Sequence, residues 1–197
     1  MTAPQNLLKM TRLNLENFEV DLQKRVNSKL NSYLNSNSQI EEAMKFALTT
    51  PGKRVRPTLL YLVGDIYSIS LERLDSLALA SEIIHTYSLV HDDLPCMDDD
   101  DLRRGQPTLH KKYSEATAVL AGDAMQSLAI QIILEDEKLS NELKVSIVKL
   151  LMESIGYKGM ILGQEQDISF EQKTVGKEEI VQMNYLKTGL LIEFCIL

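Results

Sequence analysis

Tryptophan is absent from this 197-residue chain, cysteine occurs twice, and glycine and proline only nine and five times. A many-stranded sandwich or barrel needs a turn residue at nearly every reversal, so this composition argues for helices. Cys96 and Cys195 lie far apart with no CxxC pair, which excludes a disulfide framework and suits a reducing, cytoplasmic compartment. The opening MTAPQNLLKM carries no signal-peptide run, and no stretch of about 18 residues is uninterruptedly apolar, so the sequence predicts a soluble protein with no membrane-spanning helix. Positive charge is also scarce. Lys and Arg number 21 against 28 Asp and Glu, a net charge of −7 that argues against nucleic acid as a partner. A GxxxxGK(S/T) phosphate loop is missing as well.

What is present is ample for a core: 44% of residues are hydrophobic and 25% charged, which excludes wholesale disorder. Leu8, Leu15, Phe18, Leu22, Val26, Leu30 and Leu34 form one helical stripe over residues 5–34. Ser38 is placed to cap a second helix, and Pro57 suits the first turn of a third. A long apolar pattern then runs up to Pro95, and a charged loop follows over 95–114. Helical patterns return at 115–134, 140–155 and 159–168, with a last helix from about Lys177. The sequence predicts an all-α fold of seven or eight helices in one domain spanning residues 1–197. Its last residues, Phe194-Cys195-Ile196-Leu197, end an apolar helical pattern with no cap. The expectation is that a partner covers them or that the natural chain continues.

The strongest chemical signal is HDDLPCMDDDDLRR, residues 91–104. Asp92, Asp93, Asp98, Asp99, Asp100 and Asp101 crowd together, and Arg103 and Arg104 follow. Adjacent carboxylates repel one another, and a hard divalent cation offsets that repulsion. Mg²⁺ takes carboxylate oxygens together with substrate phosphates, while paired arginines supply bidentate donors to a phosphate or diphosphate. A merely solvated acidic loop is the alternative, though it does not explain why the run emerges from the apolar segment ASEIIHTYSLV. An EF-hand is excluded, because Arg103 occupies the loop position that needs glycine when counted from Asp98.

A second signal is PGKRVRP, residues 51–57. Lys53, Arg54 and Arg56 follow Gly52, which lets backbone approach a ligand closely. Cations at a helix start suit an anion, and a basic surface turn is the competing reading. His85 and Asp92 share a helical face two turns apart, although a lone His in an apolar helix is more often a core residue. Lys187-Thr188-Gly189 interrupts the last helix, and Gly163, Gln164 and Asp167 lie near the end of an apolar one.

In this order GKRVRP, HTYSLVHDDLPCMDDDDLRRGQPTLH, LAGDA, GQ and KTG resemble the motifs of the trans-isoprenyl diphosphate synthases, most closely their bacterial farnesyl diphosphate synthase branch. The likeness covers essentially the whole chain. It implies an isoprenoid-synthase-type helical bundle around a central cavity, Mg²⁺ as cofactor, and a homodimer in the cytoplasm. The substrates implied are isopentenyl diphosphate and an allylic diphosphate. Lys53, Arg56 and His85 would hold the isopentenyl diphosphate. Asp92 and Asp98 would be the chief Mg²⁺ ligands, with Asp93 supporting. Arg103 would contact the allylic diphosphate and Arg104 the isopentenyl one. Gln164, Lys187 and Thr188 would line the allylic site, and Tyr87 rather than Ser88 would limit product length, most naturally at fifteen carbons. Asp92, Asp98, Arg103 and Lys187 would carry the catalysis.

In the family's shorter motif the outer aspartates are four apart, on one helical face. Asp92 and Asp98 are six apart, so the resemblance implies that two extra residues, including Pro95, bulge out to bring Asp98 back to the metal. Two departures from the family also stand out. Pro51 replaces a usual second glycine, and nothing after Gly189 resembles the family's second aspartate-rich motif. The chain therefore reads as the N-terminal two thirds of the family fold, truncated at its C-terminus. A remnant or partner subunit that only binds diphosphates is the other reading. A terpene cyclase is disfavoured by GKRVRP, which serves a second diphosphate.

Overall fold

The computed structural model describes residues 12–35, 37–171 and 173–197. Leu8 lies outside the described residues, and the side chain of Leu15 is likewise not described. Two compact units result, Met1–Ala129 and Ile130–Leu197.

In the first unit, helices α1 (Arg12–Tyr33), α2 (Gln39–Thr49), α3 (Val55–Ile66) and α4 (Leu71–Asp92) pack together. Leu22, Val26 and Leu30 of α1 are buried at four-residue spacing, as the stripe predicts. Ser38 caps α2 by accepting from the Glu41 N–H. Helix α4 buries Ala78, Leu79, Ile83, Ile84, Tyr87 and Val90, which leaves it apolar on most sides, the pattern of a central helix. A polar tie fastens α1 and α3 to it. Asp75 of α4 accepts from Arg25 Nε at 2.7 Å and from the Tyr61 hydroxyl at 2.7 Å, and Lys29 Nζ lies 3.0 Å away. Burial pushes the Asp75 carboxyl up, but the bonds from Arg25, Tyr61 and Lys29 outweigh it and hold it below its ordinary value.

The charged loop holds more structure than its composition suggests. A two-stranded antiparallel ribbon pairs β1 (Leu102–Arg103) with β2 (Gln106–Pro107), and a single turn, α5 (Leu109–Lys112), follows. Helix α6 (Glu115–Glu135) begins next. Among the described residues it is the one helix long and apolar enough to cross a membrane, and 44% of that stretch is buried. It carries Asp123 and buries Ala118, Ala121 and Met125, the profile of a core helix.

The second unit contains α7 (Asn141–Ile155), α8 (Met160–Phe170) and α9 (Lys177–Asn184). Ser140 caps α7 by accepting from the Leu143 N–H. Helix α9 runs without a break into a π-helical turn, Tyr185–Gly189, and then α10 (Leu190–Phe194). The KTG interruption anticipated from sequence is thus a π turn, a form common at functional sites. The terminal apolar run is covered from within in part: α10 packs on α7, and Phe194 and Cys195 are buried along with Leu191, while Ile196 and Leu197 are exposed. The fold is all-α, as the composition and periodicity predict.

Candidate active site

Helix α4 ends at Asp92, and the chain then folds back on itself. The Met97 and Asp99 N–H groups donate to the Leu94 carbonyl, and the Asp98 N–H donates to the Asp92 carbonyl at 2.8 Å. That last bond closes the six-residue spacing and sets Asp98 beside Asp92, while exposed Pro95 and Cys96 bulge outward. Asp98, Asp99, Asp100 and Asp101 are all exposed. Asp93 behaves differently. It is buried and accepts from Arg103 Nε at 2.7 Å and from Arg103 Nη2. Burial pushes its carboxyl up and Arg103 pulls it down, with burial the stronger. Asp93 is thereby committed to Arg103 rather than displayed.

Among the described residues no three His, Cys, Asp or Glu side chains form a ready cluster for a metal. Mg²⁺ is commonly bound by one or two carboxylates with substrate phosphates and water rather than by a closed protein cage. Asp92 and Asp98, adjoining through their backbones, provide hard oxygen donors of the right kind.

The ribbon sends its two arginines apart. Arg104 and Gly105 both have positive φ, 87° and 79°, the two-residue pattern of a type I′ hairpin. Arg103, on one strand, bonds Asp93 and reaches Asp100 Oδ2 at 3.3 Å. Arg104, in the turn, donates from Nη1 to the Pro51 carbonyl at 2.9 Å. Gly52 makes this contact possible, since a Cβ there would lie 2.1 Å from Arg104 Nη1. The space expected to admit a ligand is taken by an arginine.

Lys53, Arg56, His85 and Arg104 line one open cavity of about 500 Å³. Burial and the nearby guanidinium groups of Arg56, Arg104, Arg103 and Arg54 push the His85 imidazole down to about 3, so it is neutral at pH 7. Cations gathered this closely favour an anion, and the anion would in turn favour protonation of His85. Arg54 and Glu82 also border this cavity, but Arg54 is 4% exposed and its guanidinium is bonded to Glu82 rather than displayed.

Immediately before Asp92, the ring of His91 meets Tyr87 edge-on, with centroids 5.7 Å apart. Gly122 of the LAGDA segment admits this imidazole, since a Cβ there would lie 2.0 Å from His91 Nε2. Tyr87 is buried, and burial with the Asp92 charge pushes its phenol up to about 12. Half-buried Ser88 donates to the His85 carbonyl at 3.0 Å within its own helix.

The second unit assembles a separate group. At Gly163 a Cβ would lie 2.2 Å from the Lys187 backbone nitrogen, so α8 and the π turn meet backbone to backbone there. Lys187 Nζ donates to Asp167 Oδ2 at 2.5 Å, one turn along α8 from Gly163. Both amide atoms of Gln164 are buried with no hydrogen-bond partner among the described residues, an unusual state for a glutamine. Thr188 is exposed. Glu82, Asn27 and Gly122 are the contributors not anticipated from sequence. Glu82 had a usable signal, a lone carboxylate in the apolar run ASEIIH.

A family profile described as Polyprenyl synthetase matches residues 37–197. A farnesyl diphosphate synthase of Haemophilus influenzae is 43% identical over 183 residues, covering 89% of this chain and 62% of that protein. The crystal structure of a geranyltransferase from Legionella pneumophila is 41% identical, with a TM-score of 0.87 over 92% of this chain and 66% of that one. An FPP/GFPP synthase from Zymomonas mobilis is 35% identical, with a TM-score of 0.90 over 94% of this chain and 69% of that one. The chain thus spans about 62% of the length of the Haemophilus relative.

Proposed function

The chain belongs to the polyprenyl synthetase family, and on that premise we propose that it serves a Mg²⁺-dependent condensation of isopentenyl diphosphate with an allylic diphosphate, giving a short prenyl diphosphate of fifteen carbons. The observation that carries this reading is the joining of two opposite charge fields by one hairpin. Arg104 is tied to the cation-lined cavity and Arg103 to the aspartate loop. Two diphosphates held on the two sides have their hydrocarbon ends brought together, which replaces an encounter in solution by a fixed geometry.

In this scheme Lys53, Arg56, His85 and Arg104 hold isopentenyl diphosphate. Arg103 holds the allylic diphosphate, and Asp92 and Asp98 hold Mg²⁺, with Asp93 acting through Arg103. The metal, when bound, supplies positive charge to the departing diphosphate. The allylic C–O bond breaks, with both electrons leaving on the diphosphate. The isopentenyl double bond then attacks the allylic cation, and loss of a proton restores an alkene. Arg103 lowers the cost of the negative charge that develops as the bond breaks. Gln164, Lys187 and Thr188 serve the allylic site, where the unpartnered Gln164 amide supplies both a donor and an acceptor. Tyr87 limits product length. The natural setting of this activity is a cytoplasmic homodimer, with residues 1–197 the N-terminal two thirds of one helical domain.

Binding of inorganic diphosphate, titrated calorimetrically with and without Mg²⁺, tests the assignment. Asp92→Ala and Asp98→Ala are each expected to remove the Mg²⁺-dependent part of binding and leave the metal-independent part. Metal-dependent binding retained by both variants would refute it. Diphosphate binding with no prenyl product from the two substrates would instead support a chain that only binds.

A further inference from the structure

Arg54 sits in the middle of the basic motif, yet its side chain turns inward. Its side chain is 2% exposed and that of its partner Glu82 is 3% exposed. Nη1 donates to Glu82 Oε1 at 2.6 Å, and Nε donates to Asn27 Oδ1 at 2.9 Å. Nη2 donates to the Leu48 and Thr50 carbonyls at 2.8 and 3.1 Å. These bonds join the start of α3 to α1 through Asn27, to α4 through Glu82, and to the carbonyls that end α2. Those carbonyls have no partner within their own helix, so the guanidinium serves as their cap.

The backbone of Arg54 is strained as well, with φ at 50° in the left-handed region. A β-carbon disfavours that region, and a residue is held there only where its surroundings over-determine it. The reversal at Arg54 separates Lys53, in the loop, from Arg56, in the first turn of α3. The loop is also gripped from its other side, where Gln23 Nε2 of α1 donates to the Lys53 carbonyl at 3.0 Å. Lys53 and Arg56 then face the same cavity, whose wall the Arg54–Glu82 pair borders with its remaining polar groups turned to protein partners.

Resting on the reading of that cavity as a diphosphate site, we infer that Arg54, locked by Glu82 and Asn27, is a positioning residue for the diphosphate-binding cations rather than one of them. Four of its N–H bonds go to protein acceptors, so it has little left to offer a ligand. Its contribution is to fix where Lys53 and Arg56 stand before the anion arrives. Preorganisation of this kind raises affinity by removing the ordering cost from the binding step.

The test is a double-mutant cycle read by calorimetric binding of inorganic diphosphate, with thermal melting measured in parallel on every variant. Asn27 is exposed, so Asn27→Ala folds and loosens one of the bonds to Arg54. Asn27→Ala is expected to weaken diphosphate binding about threefold to tenfold, and Glu82→Gln by at least as much. In a Lys53→Ala background the same Asn27→Ala change should alter binding by less than about twofold, while its effect on the melting temperature stays the same. A merely structural role predicts additive melting effects with no coupling in binding. A parent chain that does not bind diphosphate overturns the reading of the cavity, and the positioning role with it. A parent that binds, with both variants binding equally well, overturns the positioning role alone. So does an Asn27→Ala effect that is undiminished without Lys53.

Discussion

Replacing Gly163 by alanine adds a single methyl group where no room exists. The new Cβ would lie 2.2 Å from the Lys187 backbone nitrogen, 2.6 Å from its Cα and 2.8 Å from the Leu186 carbonyl carbon. All three are backbone atoms, which cannot swing aside as a side chain does. Overpacking of a filled core costs about 1–3 kcal/mol, and a contact this short against backbone belongs at the upper end. Against this, alanine is favoured over glycine inside a helix by about 1 kcal/mol. The net loss is about 2 kcal/mol, which in a chain of this size lowers the melting temperature by about 4–8 °C. Gly189→Ala in the π turn is the matched control. Its Cβ would lie 2.9 Å from Tyr185 Cδ2, a side-chain atom of a ring that is 46% exposed and held by its hydroxyl bond to Glu193. The same helical gain applies there without a backbone clash, so Gly189→Ala should melt within about 3 °C of the parent. Calorimetric melting of the two variants beside the parent decides the matter. If Gly163→Ala melts at or above the parent temperature, the backbone-to-backbone packing of α8 on the π turn is not what holds Lys187 beside Asp167.

Asp75→Asn leaves Arg25 and Lys29 without their carboxylate and is expected to cost about 2–3 kcal/mol in urea unfolding at neutral pH, allowing for their partial exposure. Because the folded Asp75 carboxyl lies below its ordinary value, its contribution is present above about pH 4 and lost as pH falls further, so parent and variant should converge in acid. His85 has the opposite chemistry and the same direction. Its folded value of about 3 lies below the ordinary 6.5, so its contribution is whole above pH 6.5 and is lost as pH falls towards 3. His85→Gln should therefore lose about 2 kcal/mol less than the parent between pH 7 and pH 5, and equal losses in matched urea titrations would show that His85 is not held neutral. On the proposed condensation, Tyr87→Ala in a full-length protein is expected to shift the product towards longer prenyl chains in chromatographic analysis, and an unchanged fifteen-carbon product would mean that Tyr87 only packs the core.

The helices were legible because periodicity and caps act locally. The stripe through Leu22, Val26 and Leu30, the Ser38 cap and the break at Pro95 each rest on neighbours within a few residues. The aspartate loop was legible for a related reason. Asp92 and Asp98, six apart, can meet only if the residues between them bulge, and the Asp98 N–H to Asp92 carbonyl bond does this. The role of Arg54 was not legible. Basic residues in a motif all look alike in sequence, and only the distant partners Asn27 and Glu82 turn one of them inward. Gly52 was recognisable as a place of close approach but not for what approaches, the Arg104 side chain, and the packing of the Lys187 backbone against Gly163 was not foreseen. The cover over Phe194 was hidden too, because α7 lies some forty residues earlier in the chain.

The placement of strain ties these observations together. Among the described residues, four other than glycine have positive φ: Arg54, Ser68, Asp99 and Arg104. Three of them lie in the two loops that carry the clustered charges, the basic loop at 51–54 and the aspartate–arginine loop. Each costs roughly 1–2 kcal/mol that a glycine would not. A fold selected for stability alone would place glycine there, as it does next door at Gly105. Arg54 and Arg104 therefore occupy their positions for what their side chains do. Arg54 binds three helices to the start of α3, and Arg104 binds the hairpin to the Pro51 carbonyl. Both bonds bring the two charged loops to bear on the same cavity. Glycine at either position would relax the backbone and release the loop, so the strain is the cost of fixing the cations before a ligand is present.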